Sequence, residues 1–180
     1  MAETAHIERL GVSVGGGLSR AELMSRLGSR GVLLNAHAET LLEDAIFDKR
    51  AIRAIVVTER TVADLGLPDG VTLPQILDSA QQQGLLLCPA DTGPYLRMAL
   101  SEQATSLGSV MSSGRAPIGA LTVGAEALSE DDDYPKGFYL RVVDGQAWLR
   151  GFRCDDEHPW SADDRFVFRL APQLIELSPA

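Results

Sequence analysis

The chain has 180 residues, with 16 Lys or Arg and 25 Asp or Glu, so its formal charge is −9. Hydrophobic residues make up 45% of the sequence, which is typical of a globular protein and excludes a wholly disordered chain. The sequence contains no apolar run long enough to predict a membrane-spanning helix, and residues 1–10 do not resemble a secretion signal. The acidic balance argues against bulk nucleic-acid binding. We expect a cytoplasmic protein that is not associated with a membrane.

The number of cysteines bears on whether the chain contains a disulfide. Cys88 and Cys154 are the two cysteines, and a chain without an export signal normally keeps such residues reduced. Two free thiols are therefore predicted, with a Cys88–Cys154 disulfide as the alternative.

Residues 19–100 carry repeated helix-start signals. Ser19–Glu22, Thr40–Glu43 and Thr72–Gln75 fit the capping-box pattern, in which a hydroxyl and a carboxyl or amide group satisfy two backbone amides. Residues 61–64 form a weaker example. Pro94 predicts the first turn of a short helix. The β-branched run at 52–57 predicts a strand, so this part should be mainly helical with one or two strands.

Strand signals dominate the later residues. Residues 101–117 are rich in Ser and Gly and predict a loop or linker. Alternating or β-branched runs then predict strands, and Asp144-Gly145 is a strong hairpin signal. The predicted strands cover residues 118–123, 137–143, 146–152 and 165–170.

These patterns predict an α+β protein. A flexible N-terminal segment (1–18) should precede the mainly helical part (19–100), the loop or linker (101–117) and an antiparallel β-meander of about four strands (118–180). We expect the parts to form one structural unit.

The first candidate site is a glycine-rich loop that precedes a predicted helix. Gly15, Gly16, Gly17 and Ser19 would present amides to an anion, and Arg20 would add positive charge. The Walker and dinucleotide patterns are both incomplete here. A flexible tether is therefore the favoured interpretation, and this anion site is a weak candidate.

A second candidate combines Cys154, Asp155 and His158, whose side chains can all bind a transition metal. A further Cys/His pair, which a zinc site would need, does not lie nearby in the sequence. An acidic loop between two strands is the favoured interpretation, and we predict neither a metal nor another cofactor.

A third candidate is the turn that contains Asp91 and Arg97. These residues could pair with each other, or Asp91 could cap the following helix. A buried Cys88 beside a rigid Pro-Gly-Pro turn, without a binding role, is the favoured interpretation.

The fourth candidate is the hairpin surface formed by Tyr139, Arg141, Trp148 and Arg150. Aromatic and Arg side chains are enriched at binding hot spots and can also stack on nucleobases. The acidic surroundings weaken the nucleobase interpretation. Core packing by Trp148 with the arginines extending to solvent is the favoured interpretation, and among the candidate sites this exposed surface is the preferred one.

The segment Leu87–Arg97 resembles a run shared by a family of small uncharacterised bacterial proteins, with the pattern L-C-P-x-[DE]-x-G-P-x-L-R. The resemblance extends to residues 19–23, 64–70, 148–149 and 164–168. This chain has Asp91 where the family usually has Glu, and an apolar continuation at residues 98–100 where the family is more polar and aromatic. The resemblance implies a shared fold and carries no known activity.

Together these features favour a non-catalytic binding or accessory module whose partner is a protein. Its contact surface would be the hairpin or the Asp91–Arg97 turn. The alternative is a small hydrolase or transferase for a nucleotide or another anionic substrate. That enzyme would require the Gly15–Gly17 loop, Arg20, Arg97 and Asp91 to converge in one pocket.

Overall fold

The computed structural model describes residues 6–48, 51–100 and 119–172, so the predicted linker at 101–117 lies outside the described residues. Single 3₁₀ turns occur at Ala45–Asp48 and Ala63–Leu65. In chain order the helices and strands are β1 (Leu10–Val14), α1 (Arg20–Ser29), β2 (Leu33–Leu34), α2 (Ala36–Leu42), β3 (Arg53–Thr61), α3 (Leu73–Gln82), α4 (Thr92–Ala99), β4 (Leu121–Val123), β5 (Gly137–Val143), β6 (Gln146–Phe152) and β7 (Arg165–Arg169).

All seven strands belong to one mixed sheet with the order β1-β3-β7-β4-β5-β6-β2. The pairs β2–β6 and β4–β7 are parallel, and the other neighbours are antiparallel. The general class, helices with a sheet, is α+β. The predicted C-terminal antiparallel meander is nevertheless wrong, because β4 and β7 pair in parallel and because β1, β2 and β3 of the first part of the chain join the same sheet.

Strand β1 lies within the segment that the sequence predicted as flexible. Val12 and Val14 alternate with exposed Gly11 and Ser13, which is the pattern of a half-buried strand. The adjacent glycines obscured this short alternation. Strand β1 pairs with β3 along its whole length, from Leu10 opposite Val57 to Val14 opposite Arg53.

Short sequence patterns predicted correctly where α1 and α3 begin. The capping boxes at Ser19–Glu22 and Thr72–Gln75 begin α1 and α3 as predicted. Residues 61–64 make the reciprocal cap bonds of a 3₁₀ turn. The box predicted at Thr40–Glu43 is wrong, because those residues end α2, and Asn35 caps that helix instead.

The sheet separates two hydrophobic cores. Helices α1, α2 and α4 pack on one face, where Leu23, Leu41 and Leu96 meet strand residues such as Leu140. Helix α3 packs on the other face, in a core that contains Ile76, Trp160, Phe166 and Phe168. Val167 belongs to the first core and its two neighbours to the second, as strand alternation requires. The first core contains residues from both parts of the chain.

Two glycines allow helices to lie unusually close to the sheet. A Cβ atom at Gly93 in α4 would lie 2.6 Å from Cγ of Phe138 in β5. A Cβ atom at Gly151 in β6 would lie 2.6 Å from the carbonyl carbon of His37 in α2. Neither position can accept a larger residue without movement of its neighbour.

Candidate functional site

The segment Cys88–Arg97 is mostly buried, with Pro89 and Ala90 partly exposed. Cys88 forms an isolated bridge with Ala125, and α4 follows after a short turn. Every residue from Asp91 to Arg97 is buried. The Asp91–Arg97 turn therefore does not form an exposed contact surface.

Asp91 makes an ion pair that the sequence did not predict. Its side chain is 1% exposed and pairs through Oδ2 with the guanidinium of Arg53 on β3. Oδ1 of Asp91 is buried and has no hydrogen-bond partner, and the carboxylate does not cap α4. The predicted capping role is wrong. The ion pair instead fixes the start of α4 to the start of β3.

Tyr95 links α4 to the glycine-rich loop. Its hydroxyl donates a hydrogen bond of 3.1 Å to the carbonyl oxygen of Gly15. Burial raises the pKa of Tyr95, and the negative charge of Asp91 raises it further. The phenol therefore remains protonated and keeps its donor role.

Arg97 is 4% exposed, and its Nη2 donates a hydrogen bond of 3.3 Å to the carbonyl oxygen of Leu100. Burial lowers the pKa of Arg97 to about 10. A guanidinium enclosed in this way stabilises the end of α4. It does not present its charge to a ligand in solvent.

The three glycines at 15–17 all have positive φ angles, of 92°, 47° and 71°. They end β1 in a turn, which is closed by a hydrogen bond of 3.0 Å from the Leu18 amide to the Gly15 carbonyl oxygen. A Cβ atom at Gly16 would lie 3.3 Å from the Tyr95 ring. The flexible-tether interpretation does not describe this loop, which contacts α4.

Protein carboxylates contact two of the residues predicted to bind an anion at this loop, Ser19 and Arg20. The Ser19 amide donates to Oε2 of Glu22 (2.7 Å), and the Arg20 amide donates to Oδ1 of Asp48 (3.2 Å). The Arg20 guanidinium pairs with the same Asp48 at 2.8 Å and also donates to the Glu43 carbonyl oxygen. An incoming anion would have to displace these groups.

The residues of the alternative enzyme pocket lie in one region of the fold, but their charged groups are buried or already paired. Gly16 contacts Tyr95, which is two residues from Arg97 on the same helix. Asp91 and Arg97 are buried, and Arg20 is engaged with Asp48. In the described structure these groups hold protein elements together.

Cys154, Asp155 and His158 do not form a metal centre. The carboxylate of Asp155 accepts a hydrogen bond from the Glu157 amide, and the His158 ring packs edge-on against Trp160 with centroids 5.6 Å apart. In the parts of the chain that the structure describes, no group of three metal-binding side chains lies close enough to hold an ion.

Both thiols are free, as predicted, and both are buried. Burial raises the pKa of Cys88 to about 12 and that of Cys154 to about 11. The thiolate is the nucleophilic form, so neither residue has the chemistry of a catalytic cysteine.

The hairpin of β5 and β6 brings the four predicted surface residues onto one face of the sheet. Arg141 lies opposite Trp148, and Tyr139 lies opposite Arg150. Tyr139 and Arg141 are buried, whereas Trp148 and Arg150 are half-buried. The guanidinium carbon of Arg150 lies 5.0 Å from the Trp148 ring centroid and 6.0 Å from that of Tyr139.

Burial is the main influence on the two inner residues of this face. It raises the pKa of Tyr139, and it lowers the pKa of Arg141, which the positive charge of Arg150 lowers further. The hairpin therefore carries two neighbouring guanidinium groups beside neutral aromatic rings.

Leu33 extends the accessible part of the hairpin surface. Strand β2 runs parallel to β6 and places Leu33 in register with Trp148, and Leu33 is 42% exposed. We call Leu33, Trp148 and Arg150 the Trp148 patch. Sequence reasoning missed Leu33 and Arg53, because each acquires its neighbour through a pairing between distant parts of the chain.

Comparison with known proteins assigns no family: no family model, curated protein or solved structure matches the chain. In the described ranges, none of the helices is both long and apolar enough to cross a bilayer.

Proposed function

We propose that this chain is a non-catalytic protein-binding module and that the Trp148 patch is its contact surface. The stacked Trp148–Arg150 pair beside exposed Leu33 carries the proposal. Trp and Arg are the residues most enriched at binding hot spots, and a neighbouring aliphatic side chain excludes water from the contact.

The state of the reactive groups supports a binding role over a catalytic one. Asp91 is buried in an ion pair with Arg53, and burial keeps both cysteines protonated. An enzyme needs its nucleophile or general base within reach of a substrate. The Trp148 patch, by contrast, is accessible.

We also propose a cytoplasmic location and kinship with the small bacterial proteins that share the Leu87–Arg97 pattern. Two free thiols in one chain support a reducing compartment. The structural roles of Asp91, Gly93 and Tyr95 support the view that a shared pattern here reflects a shared fold.

Quantitative affinity capture tests the binding role, with the purified protein as bait and a lysate of the cells that naturally contain it as the source of partners. Trp148→Ala should lose at least one protein that both the wild type and the control Met24→Ala retain. Met24 is a suitable control because it is an exposed apolar residue on α1. The complex should then re-form from purified components. Absence of any patch-dependent protein in the capture would overturn the proposal, provided that thermal melting shows the variants to be folded.

A further inference from the structure

Arg150 carries a positive charge without a carboxylate partner in the described parts of the chain. The ion pairs there involve other basic residues, whereas the contacts of Arg150 are with the Trp148 and Tyr139 rings. A guanidinium over an aromatic ring can still present N–H groups to a carboxylate. The stack thus fixes the position of a cation that can bind an acidic ligand.

The electrostatic surroundings of Arg150 strengthen this preference. Arg141 lies diagonally across the hairpin, near enough for the two positive charges to repel each other. An incoming carboxylate would relieve the repulsion.

The other half of the patch is apolar. Leu33 and Trp148 are paired residues on adjacent parallel strands, and both expose side-chain surface. Burying apolar surface contributes about 25 cal/mol per Å². A ligand that contacts Leu33, Trp148 and Arg150 together therefore needs an apolar group near its acid.

We propose that the Trp148 patch binds a peptide segment of a partner protein that places an Asp or Glu carboxylate on Arg150 and a neighbouring apolar side chain against Leu33 and Trp148. This inference rests on the proposed binding function and specifies the chemistry of the partner.

A single-stranded nucleic acid is the competing ligand, since bases stack on Trp and phosphates bind Arg. Its backbone carries a dense row of negative charges, which a protein with a charge of −9 repels beyond the two hairpin arginines. A peptide with one or two acids satisfies Arg150 without that repulsion. The structure therefore favours a peptide.

Selection from a displayed library of random 12-residue peptides tests the inference. The library is selected on the wild-type protein after removal of peptides that bind Arg150→Glu. Arg9→Glu serves as the matched control, because it reverses an exposed arginine elsewhere on the protein. Recovered peptides should contain an acid within four residues of an apolar side chain, and they should bind Arg9→Glu as tightly as the wild type.

The affinity of a recovered peptide should then follow the chemistry of the patch. Trp148→Ala should weaken binding by about 30-fold or more. Arg150→Ala should weaken it by about tenfold or more, and Arg150→Lys should restore part of the loss because Lys keeps the charge without the planar fork. Near-ultraviolet circular dichroism checks that each variant is folded.

Three results would overturn this assignment: recovered peptides without acids, patch-dependent binding of an oligo(U) RNA at least as tight as that of the peptides, or a dimer that Trp148→Ala abolishes in sedimentation. If a patch-dependent cellular partner is found but the peptides lack acids, the acidic-segment inference alone fails. If neither experiment detects patch-dependent binding, the proposed function fails as well.

Discussion

The segment Cys88–Arg97 and the hairpin of β5 and β6 are both rich in chemically distinctive residues, but the fold uses them differently. Asp91 and Arg97 are 1% and 4% exposed and bind other parts of the chain. Trp148 and Arg150 stack on each other and remain accessible. A distinctive sequence pattern can thus mark the architecture of a protein, while the contact surface that we propose lies on an ordinary hairpin.

Loss of Arg53 should cause the largest change in stability. Arg53→Ala would leave the Asp91 carboxylate buried without its partner, and breaking such a pair should cost about 3 kcal/mol. This value is at the lower end for buried pairs, because Arg53 is 38% exposed and water can reach its site. Urea unfolding would measure the loss.

The matched control for this prediction is Arg153→Ala. Arg153 pairs with Asp133, but both side chains are well exposed, at 46% and 87%. Such a pair contributes at most about 1 kcal/mol. Equal losses for the two variants would show that the Asp91–Arg53 pair has no special structural role.

Gly93→Ala should destabilise the protein by about 1–3 kcal/mol, because the new methyl group would overlap the Phe138 ring. Gly28→Ala provides the control: Gly28 lies in α1, and a Cβ atom there would meet nothing within 4 Å. Ala is the better helix former, so this second change should stabilise by about 0.5–1 kcal/mol. Calorimetry of both variants measures whether the melting temperature falls for Gly93→Ala and rises for Gly28→Ala. An unchanged melting temperature for Gly93→Ala would contradict the close packing of α4.

Asn35→Ala should cost about 1–2 kcal/mol, because Asn35 caps α2 and bonds both backbone groups of Gly151. Asn35→Asp should recover part of this loss, since an oxygen can still accept from the Ala38 and Gly151 amides. If both variants unfold at the same urea concentration as the wild type, the contact between α2 and β6 does not depend on this side chain.

The buried thiols predict a loss of stability in alkali. Their folded pKa values, about 12 for Cys88 and 11 for Cys154, exceed the ordinary value of 9.0. Above pH 9 the unfolded chain therefore releases protons that the folded chain retains, and stability should fall as the pH rises from 9 towards 12. Urea unfolding at several pH values, compared with Cys88→Ala, would measure this contribution.

The same burial should protect both thiols from reagents at pH 8, where about one in a thousand or fewer would be ionised in the folded protein. A disulfide reagent should react slowly with the native protein and quickly after unfolding in urea. Rapid reaction of a native thiol would place a reactive group where the structure shows a core.

Arg150→Ala should have the smallest effect on stability, below about 1 kcal/mol, because it removes a half-exposed stack and no ion pair among the described residues. The same variant should lose partner binding. A large loss of stability would mean that the hairpin surface, like α4, is mainly architectural.

The sequence predicted features that depend on neighbouring residues. The capping boxes of α1 and α3 and the hairpin turn, with φ angles of 50° at Asp144 and 77° at Gly145, follow from short-range chemistry. It did not predict that β1, β2 and β3 would join the later strands, because parallel pairing and sheet order depend on contacts between distant residues.

The candidate sites divide in the same way. The composition of the hairpin predicted a surface that includes Trp148 and Arg150, whose proximity follows from their alternate positions on one strand. The roles of Asp91 and Arg97 depended on burial, which no local pattern reports. Arg53 could have been suspected from its place as an isolated charge at the start of a β-branched run, but nothing in the sequence linked it to Asp91.

The side chain of Asn35 also has a consequence for how the molecule behaves in a crowded solution. Its amide donates to the carbonyl oxygen of Gly151 and accepts from the Gly151 amide, so it takes the place of a peptide unit beside β6. Strand β2 continues that edge for two residues. Such a short edge strand offers another molecule few free backbone groups to pair with, and this protects the β2 edge of the sheet against fibril growth.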